Sequence, residues 1–434
     1  MFRYLIVFGF FAIMGTCSQK VNKQYLTEIV LPVEGQTPAS YEGKSPCKIK
    51  ENYMPDIKHV DHTPLKVIRL NFHIMNGGRG TANFNERKGT AFIKEVMDVA
   101  NKKLKRNKQM RLPIGNNTPI IPMRYRYELT GRPGDPDDDG IYFHNDDACY
   151  AQINTGKGKN IYDKTPFERY GVMKDTVMNI FVMPYPEDSL TSKTFRKSSN
   201  GIAFGNWLKV CGWHYNATKD TIWRNGKWEV PYGKWFAAKL LHHEVGHNLG
   251  LRHTWNSNDG CDDTPKHPNC YGHTPNRSPC DSLWSNNFMD YNTHISAWSP
   301  CQIATIHHNM SPGKKPKLRD MLVPTWCDFK KEATINIKDD IVWSSAKDLE
   351  GNLVIKNGAS LTVRCMVSLP KGAKIEVHPK GKLILNGATL YNDCGEKWQG
   401  IEILSTKSRT GTVAYFGASE IKDVEREVKV IVEE

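Results

Sequence analysis

Long apolar runs are scarce in this 434-residue chain, and the one near its start, Leu5 to Met14, is too short to span a bilayer. No low-complexity tract or dominating repeat is present, which excludes a fibrous or compositionally disordered chain. Nucleic-acid motifs are missing as well. The formal charge is +13, but its densest run, Lys102, Lys103, Lys105, Arg106 and Lys108, closes a predicted helix without interleaved aromatics. That run reads as a solvated face and not as a nucleic-acid or membrane patch, although basic charge favours acidic substrates. What is present is an ordinary globular composition, 39% apolar and 24% charged. The length exceeds what one core usually organises, so two domains with short appendages are expected.

The first residues have the form of an export signal. Arg3 gives a positive start, the short apolar stretch follows, and small residues lead to Cys17 in Met14-Gly15-Thr16-Cys17. That arrangement resembles a bacterial lipobox, so the chain is expected outside the cytoplasm, either freely secreted or anchored at a bacterial outer surface through a lipidated Cys17. Ten further cysteines remain: Cys47, Cys149, Cys211, Cys261, Cys270, Cys280, Cys301, Cys327, Cys365 and Cys394. An even number in an exported chain predicts disulfides, with pairing left open.

Texture divides the chain into residues 1–17 as signal, 18–64 as a polar linker or pro-segment, 65–325 as a first domain and 328–434 as a second. In the first domain, Val67 to Met75 and Val177 to Met183 are strand-like apolar runs, and Gly201 to Phe204 is a possible edge strand. Phe84 to Asn107 has helical spacing, and Trp235 to Leu249 reads as a buried helix ended by Gly250. This succession suggests an α/β or α+β domain; the family resemblance given below implies the α+β form, with a mixed twisted sheet and two long helices. In the second domain, short β-rich runs recur with Gly turns such as Asn357-Gly358-Ala359 and Asn386-Gly387-Ala388. An all-β module follows, a sandwich or a short parallel β-solenoid, and the Gly-Ala-x-Leu/Ile recurrence favours the solenoid.

The chemistry is concentrated in His243-Glu244-Val245-Gly246-His247-Asn248-Leu249-Gly250-Leu251-Arg252-His253. Helix positions four apart share a face, so His243 and His247 can present imidazoles to one metal ion. Glu244 projects about 100° further round, where it reaches a metal-bound water without being a ligand. Gly250 permits a left-handed turn that brings His253 back as a third nitrogen ligand. Three histidines leave a coordination position open, as catalytic zinc requires. His242 projects elsewhere and reads as a packing residue.

The extended motif resembles that of the metzincins, and Asn287-Phe288-Met289-Asp290-Tyr291 is similar to their Met-turn. The run Gly246 to Trp255, then Asp263-Thr264-Pro265, then Met289-Asp290-Tyr291 with Cys301 resembles the pappalysin or cytophagalysin branch. Arg69 to His73 and Met178 to Val182 resemble the same branch's first and central strands. The resemblance covers roughly residues 65–315 and not the β-rich tail. It implies a zinc endopeptidase in which Glu244 is the general base, Met289 floors the metal site, and protein or peptide is the substrate. For Tyr291 it implies a place near the metal, as oxyanion donor or as a structural residue. It also implies disulfides Cys261–Cys280 and Cys270–Cys301, and calcium at Asp262 and Asp263.

Two features have readings of their own. Asp135 to Gly140 with Asp146 has most of an EF-hand spacing, but Pro136 and the strand-like flanks favour an acidic surface connection. Cys47 is either a thiolate that caps the zinc and keeps the enzyme latent, or a disulfide partner of Cys149, Cys211 or Cys327. Two rival functions remain at this level, a zinc hydrolase of non-peptide amides and a binding protein whose β-rich tail engages a surface partner.

Overall fold

The computed structural model describes residues 21–31, 45–78, 83–154, 156, 158–193, 195, 200–214, 222–224, 227–229, 233–255, 259–270, 278–291 and 295–432. The expected export signal and Cys17 lie outside the described residues. No described helix is long and apolar enough to cross a membrane.

A six-stranded sheet organises the first domain. Its centre is β1 (Lys66–Asn76), which is buried along almost its whole length. One edge of β1 is shared by β2 (Tyr125–Leu129), paired along Lys66 to Leu70, and β3 (Ile141–Asn145), paired along Phe72 to Asn76. The other edge carries β4 (Met178–Met183) in parallel, then β6 (Trp207–Cys211), and finally β5 (Asn200–Ala203), the one antiparallel strand, at the rim. Continuous apolar runs suit β1 and β4 because both faces of a parallel sheet are covered.

Alternation along β1 assigns those faces. Ile68, Leu70, Phe72 and Ile74 pack with α1 (Glu86–Lys105) and α2 (Gly233–Asn248), whereas Met75 joins Phe181, Met183 and Trp207 on the opposite side. Helix α1 is amphipathic, with Ile93, Val96, Met97, Ala100 and Leu104 buried at intervals of three and four. The Asn85 side chain caps it by accepting from the Lys88 amide at 2.9 Å. Helix α2 has little amphipathic contrast because it is buried on most sides. A third helix, α3 (Pro300–Asn309), starts with a capping box in which Ser299 and Gln302 each satisfy the other's backbone amide.

The second domain is a repeat of short strands stacked in parallel, so the solenoid expectation holds and the sandwich does not. Ile335, Leu353, Ile375 and Ile401 occupy equivalent positions on successive rungs of one sheet. Leu361, Leu383 and Val413 stack on the second sheet, and Val367, Leu390 and Ile421 on the third. Each rung buries its apolar side chains only against the rung above and below, which is why the pattern must repeat.

The described parts of the expected linker or pro-segment, 18–64, are tied to the solenoid. Asn22–Tyr25 pairs antiparallel with Gly400–Ser405, and Glu28–Leu31 pairs parallel with Lys429–Val432. Further on, Cys47 is disulfide-bonded to Cys365 of the solenoid. That bond removes the thiolate needed for zinc capping, and the partner is none of the three expected. Strand pairing over nearly the whole length of the chain leaves no local periodicity to read. Cys327–Cys394 is a second tie to the solenoid, while Cys149 and Cys211 are free and buried.

Candidate active site

His243, Glu244 and His247 project from the C-terminal half of α2. The helix then breaks: Gly250 takes φ 99°, its amide donates to the His247 carbonyl at 2.9 Å, and the Leu251 amide donates to the Gly246 carbonyl at 2.9 Å. An L-residue resists that φ, so the turn needs glycine. The chain returns with His253 facing the other two histidines.

The Nε2 atoms of His243, His247 and His253 lie 3.1–3.2 Å from one another. Three nitrogens bound tetrahedrally to one zinc at ordinary bond lengths are about 3.3 Å apart, so this donor set fits the metal. The opposite ring nitrogens are already engaged: His243 Nδ1 with the Phe288 carbonyl at 2.8 Å and His247 Nδ1 with the Leu251 carbonyl at 3.0 Å. Donation from Nδ1 leaves the Nε2 lone pair directed at the common point. Burial holds all three rings in the neutral form that ligates, pushing His243 down to about 3 and His253 to about 4.

Glu244 is only 4% exposed, and burial pushes its carboxyl up to about 8. A positive metal beside it acts in the opposite direction. Its lid is backbone: a Cβ placed on Gly201 of the rim strand β5 would lie 2.6 Å from Glu244 Cγ and 2.7 Å from Oε1. A second glycine has an equivalent role on α2 itself. A Cβ on Gly246 would collide with Met289 Sδ, so only glycine lets the Met-turn approach the helix there. The sequence reading missed both roles, since a glycine's contact across the fold has no local signature.

Met289 is fully buried and held from several directions. Its amide donates to Asn287 Oδ1 at 2.8 Å, and its carbonyl accepts from the Thr254 amide at 3.2 Å. Asn287 and Gln302 of α3 exchange two side-chain hydrogen bonds, at 2.7 and 3.0 Å, and Asp290 pairs with His267 at 2.9 Å. These anchors escaped sequence reasoning because polar residues at such spacings are common. Tyr291 is 39% exposed, with its ring 4.7 Å from that of His253 and 5.6 Å from that of His243. His242 is outside the metal cluster, as expected, with Nδ1 3.0 Å from the Tyr127 hydroxyl and its ring edge on Phe288.

The disulfides around the cleft correct the implied pairing. The bonds are Cys261–Cys301 and Cys270–Cys280, with Cα separations of 5.6 and 5.5 Å. The cause is the contact of Asp263 Oδ2 with the Cys301 amide, 2.9 Å, which holds the 259–264 loop against the start of α3 and presents Cys261 to Cys301. Cys270 and Cys280 are only ten positions apart in the sequence. Asp262 is exposed, whereas Asp263 Oδ1 is buried and has no hydrogen-bond partner. Asp259, which sequence reasoning passed over, is the acidic neighbour whose carboxyl is raised, first by burial and further by the charge of Asp263. The acidic loop at 135–139 has no common focus: Asp138 binds Arg132 and Tyr142, Asp139 binds Lys94, and Asp146 binds Arg169 and Tyr170. It is a surface connection.

Residues 174–311 match the profile of the peptidase M43 family, described as pregnancy-associated plasma protein-A. No curated protein matches the chain. Among solved structures the chain is similar to Tannerella forsythia mature mirolysin in complex with a cleaved peptide, at 20% identity and a TM-score of 0.37, over 60% of this chain and 96% of that one. It is also similar to a mutant of Tannerella forsythia promirolysin, at 17% identity and a TM-score of 0.38, over 60% of this chain and 84% of that one.

Proposed function

We propose, for a zinc metalloprotease that belongs through residues 174–311 to the peptidase M43 family, that Glu244 is the general base of peptide-bond hydrolysis. The observation that carries this reading is the convergence of three histidine Nε2 atoms with a buried carboxylate on the same helix. Zinc held by His243, His247 and His253 supplies Lewis acidity toward the scissile carbonyl and the attacking water. Glu244 accepts the water's proton on one carboxylate oxygen and delivers it to the leaving amine. Gly201 keeps backbone, and no side chain, over that carboxylate, so the rim strand β5 brings a substrate backbone close to it. To Tyr291, whose ring lies 4.7 Å from that of His253, we assign donation of a hydrogen bond to the developing oxyanion.

The test is cleavage of a peptide library by wild-type and Glu244→Ala protein, with and without a zinc chelator. Cleavage that survives both perturbations sinks the reading, and selective loss also reports the cleavage preference. Support for export comes from the leader-like residues 1–17 and from eight disulfide-bonded cysteines. Anchoring through Cys17 predicts lipid labelling that Cys17→Ser abolishes. The solenoid is the element to which binding of a surface partner is assigned, and its removal would then lower attachment without lowering cleavage of short peptides. Calcium, in this reading, uses Asp263 and Asp259 in place of Asp262. Calcium titration of the melting temperature, with Asp263→Asn as control, checks this.

A further inference from the structure

The Asp290 carboxylate sits one residue beyond Met289, and its side chain is only 1% exposed. Both of its oxygens accept. Oδ1 takes the Tyr291 amide at 2.6 Å, while Oδ2 meets His267 Nε2 at 2.9 Å and the Thr254 hydroxyl at 3.4 Å. Among the described residues, His267 is the one basic group that pairs with this carboxylate. A charge buried so deeply is costly unless a counter-charge stands beside it. Thr254 directly follows His253, and its own amide donates to the Met289 carbonyl at 3.2 Å. The Tyr291 ring lies 4.7 Å from the His253 ring. Asp290 thus joins the loop that carries His267 to both neighbours of the histidine cluster.

Hydrogen bonding sets the charge of His267. Its Nδ1 is 3.0 Å from the Pro268 carbonyl, which can only accept, and its Nε2 faces a carboxylate. Each ring nitrogen therefore needs a proton, and a ring with two is an imidazolium. Burial alone would favour the neutral ring, but the Asp290 carboxylate outweighs it, and Asp259 from the same loop adds to the pull, so His267 is raised above the ordinary imidazole range. Asp263 and Lys50 act on Asp259, and Lys266 beside the ring is exposed. Loss of the proton would leave Asp290 buried without its partner.

We propose that His267 is a positioning residue for peptide hydrolysis: as an imidazolium it holds the Asp290 carboxylate, which in turn fixes Thr254 behind His253 and Tyr291 beside it. The assignment rests on the protease reading given above. The experiment uses the full zinc-loaded chain. Nitrogen NMR of histidine-labelled protein should find both His267 ring nitrogens protonated at about pH 7.5, where an ordinary imidazole is mostly neutral. His267→Gln should lower kcat by roughly 10–30-fold, with KM within about threefold of wild type and zinc content unchanged. Adding Asp290→Asn to His267→Gln removes the stranded charge and should recover at least about threefold of that loss. A neutral ring in the wild-type spectrum overturns the proposal. So does a His267→Gln loss that follows zinc content, or one that Asp290→Asn does not relieve. Wild-type protein that binds zinc but cleaves no peptide would sink the protease reading, whereas a neutral His267 in a protein that does cleave sinks this assignment alone. If His267→Gln does not fold, the wild-type spectrum, with His267 assigned through its backbone, decides.

Discussion

The protease domain and the solenoid solve burial in opposite ways. In the solenoid core the stacked side chains are Ile, Leu and Val with Ala and Trp, repeated rung upon rung. In the protease domain the same kind of apolar core surrounds buried polar groups, among them His243, Glu244, Asn287, Asp290 and Gln302. Each buried polar group costs free energy unless partnered, and the protease domain supplies those partners with buried networks instead of extra apolar area. A repetitive core gives stability with little chemistry. An irregular one gives up some of that economy to hold three histidines and a carboxylate in place.

That contrast can be broken most severely at the base. Glu244→Ala should lower kcat/KM for peptide cleavage by about 10³-fold while zinc content is retained, because general-base assistance is lost and the ligands are not. A change of less than tenfold would remove Glu244 from the mechanism. The mirror experiment belongs in the solenoid: Leu383→Ala, in the middle of a stack, should cost about 3 kcal/mol of stability by denaturant titration and leave cleavage by the folded fraction unchanged.

Gly201→Ala sharpens the comparison further, since it adds one methyl group to the rim strand and touches no ligand. Displacing Glu244 should cost about 10²-fold in kcat with zinc affinity intact. A wild-type rate would show that the rim gives way freely. The smallest effect concerns the seam between the domains. Burial alone would raise the Asp348 carboxyl, but Lys66 and Arg319 outweigh it and hold it at about 2. An acid with a depressed folded-state pKa contributes stability above its unfolded value, near 4, and loses it as pH falls toward 2. The stability difference between wild type and Asp348→Asn should therefore shrink by about 2 kcal/mol over that window, measured by pH-dependent unfolding. A difference independent of pH would mean the ion pair does not respond to titration.

Legibility followed the distance between interacting residues. His243 and His247 were readable because helical period alone places them on one face, and Gly250 because the turn to His253 is local. The parallel stack of the solenoid was readable because repetition along the chain becomes repetition in space. Cys261 and Cys301 were misassigned because their meeting depends on the Asp263 contact with the start of α3. The strand pairings of the N-terminal segment were not legible because their partners lie hundreds of residues away.

By itself, then, the sequence determined the convergence of His243, His247 and His253 beside Glu244, the turn at Met289, and an α+β fold followed by a repeating β module. All of these rest on spacings of a few residues or on a short period. Tertiary structure alone decided the disulfide partners, the backbone lid that Gly201 places on Glu244, and the approach of Met289 to Gly246. Those depend on which surfaces meet after folding, and packing of distant segments leaves no trace in local composition.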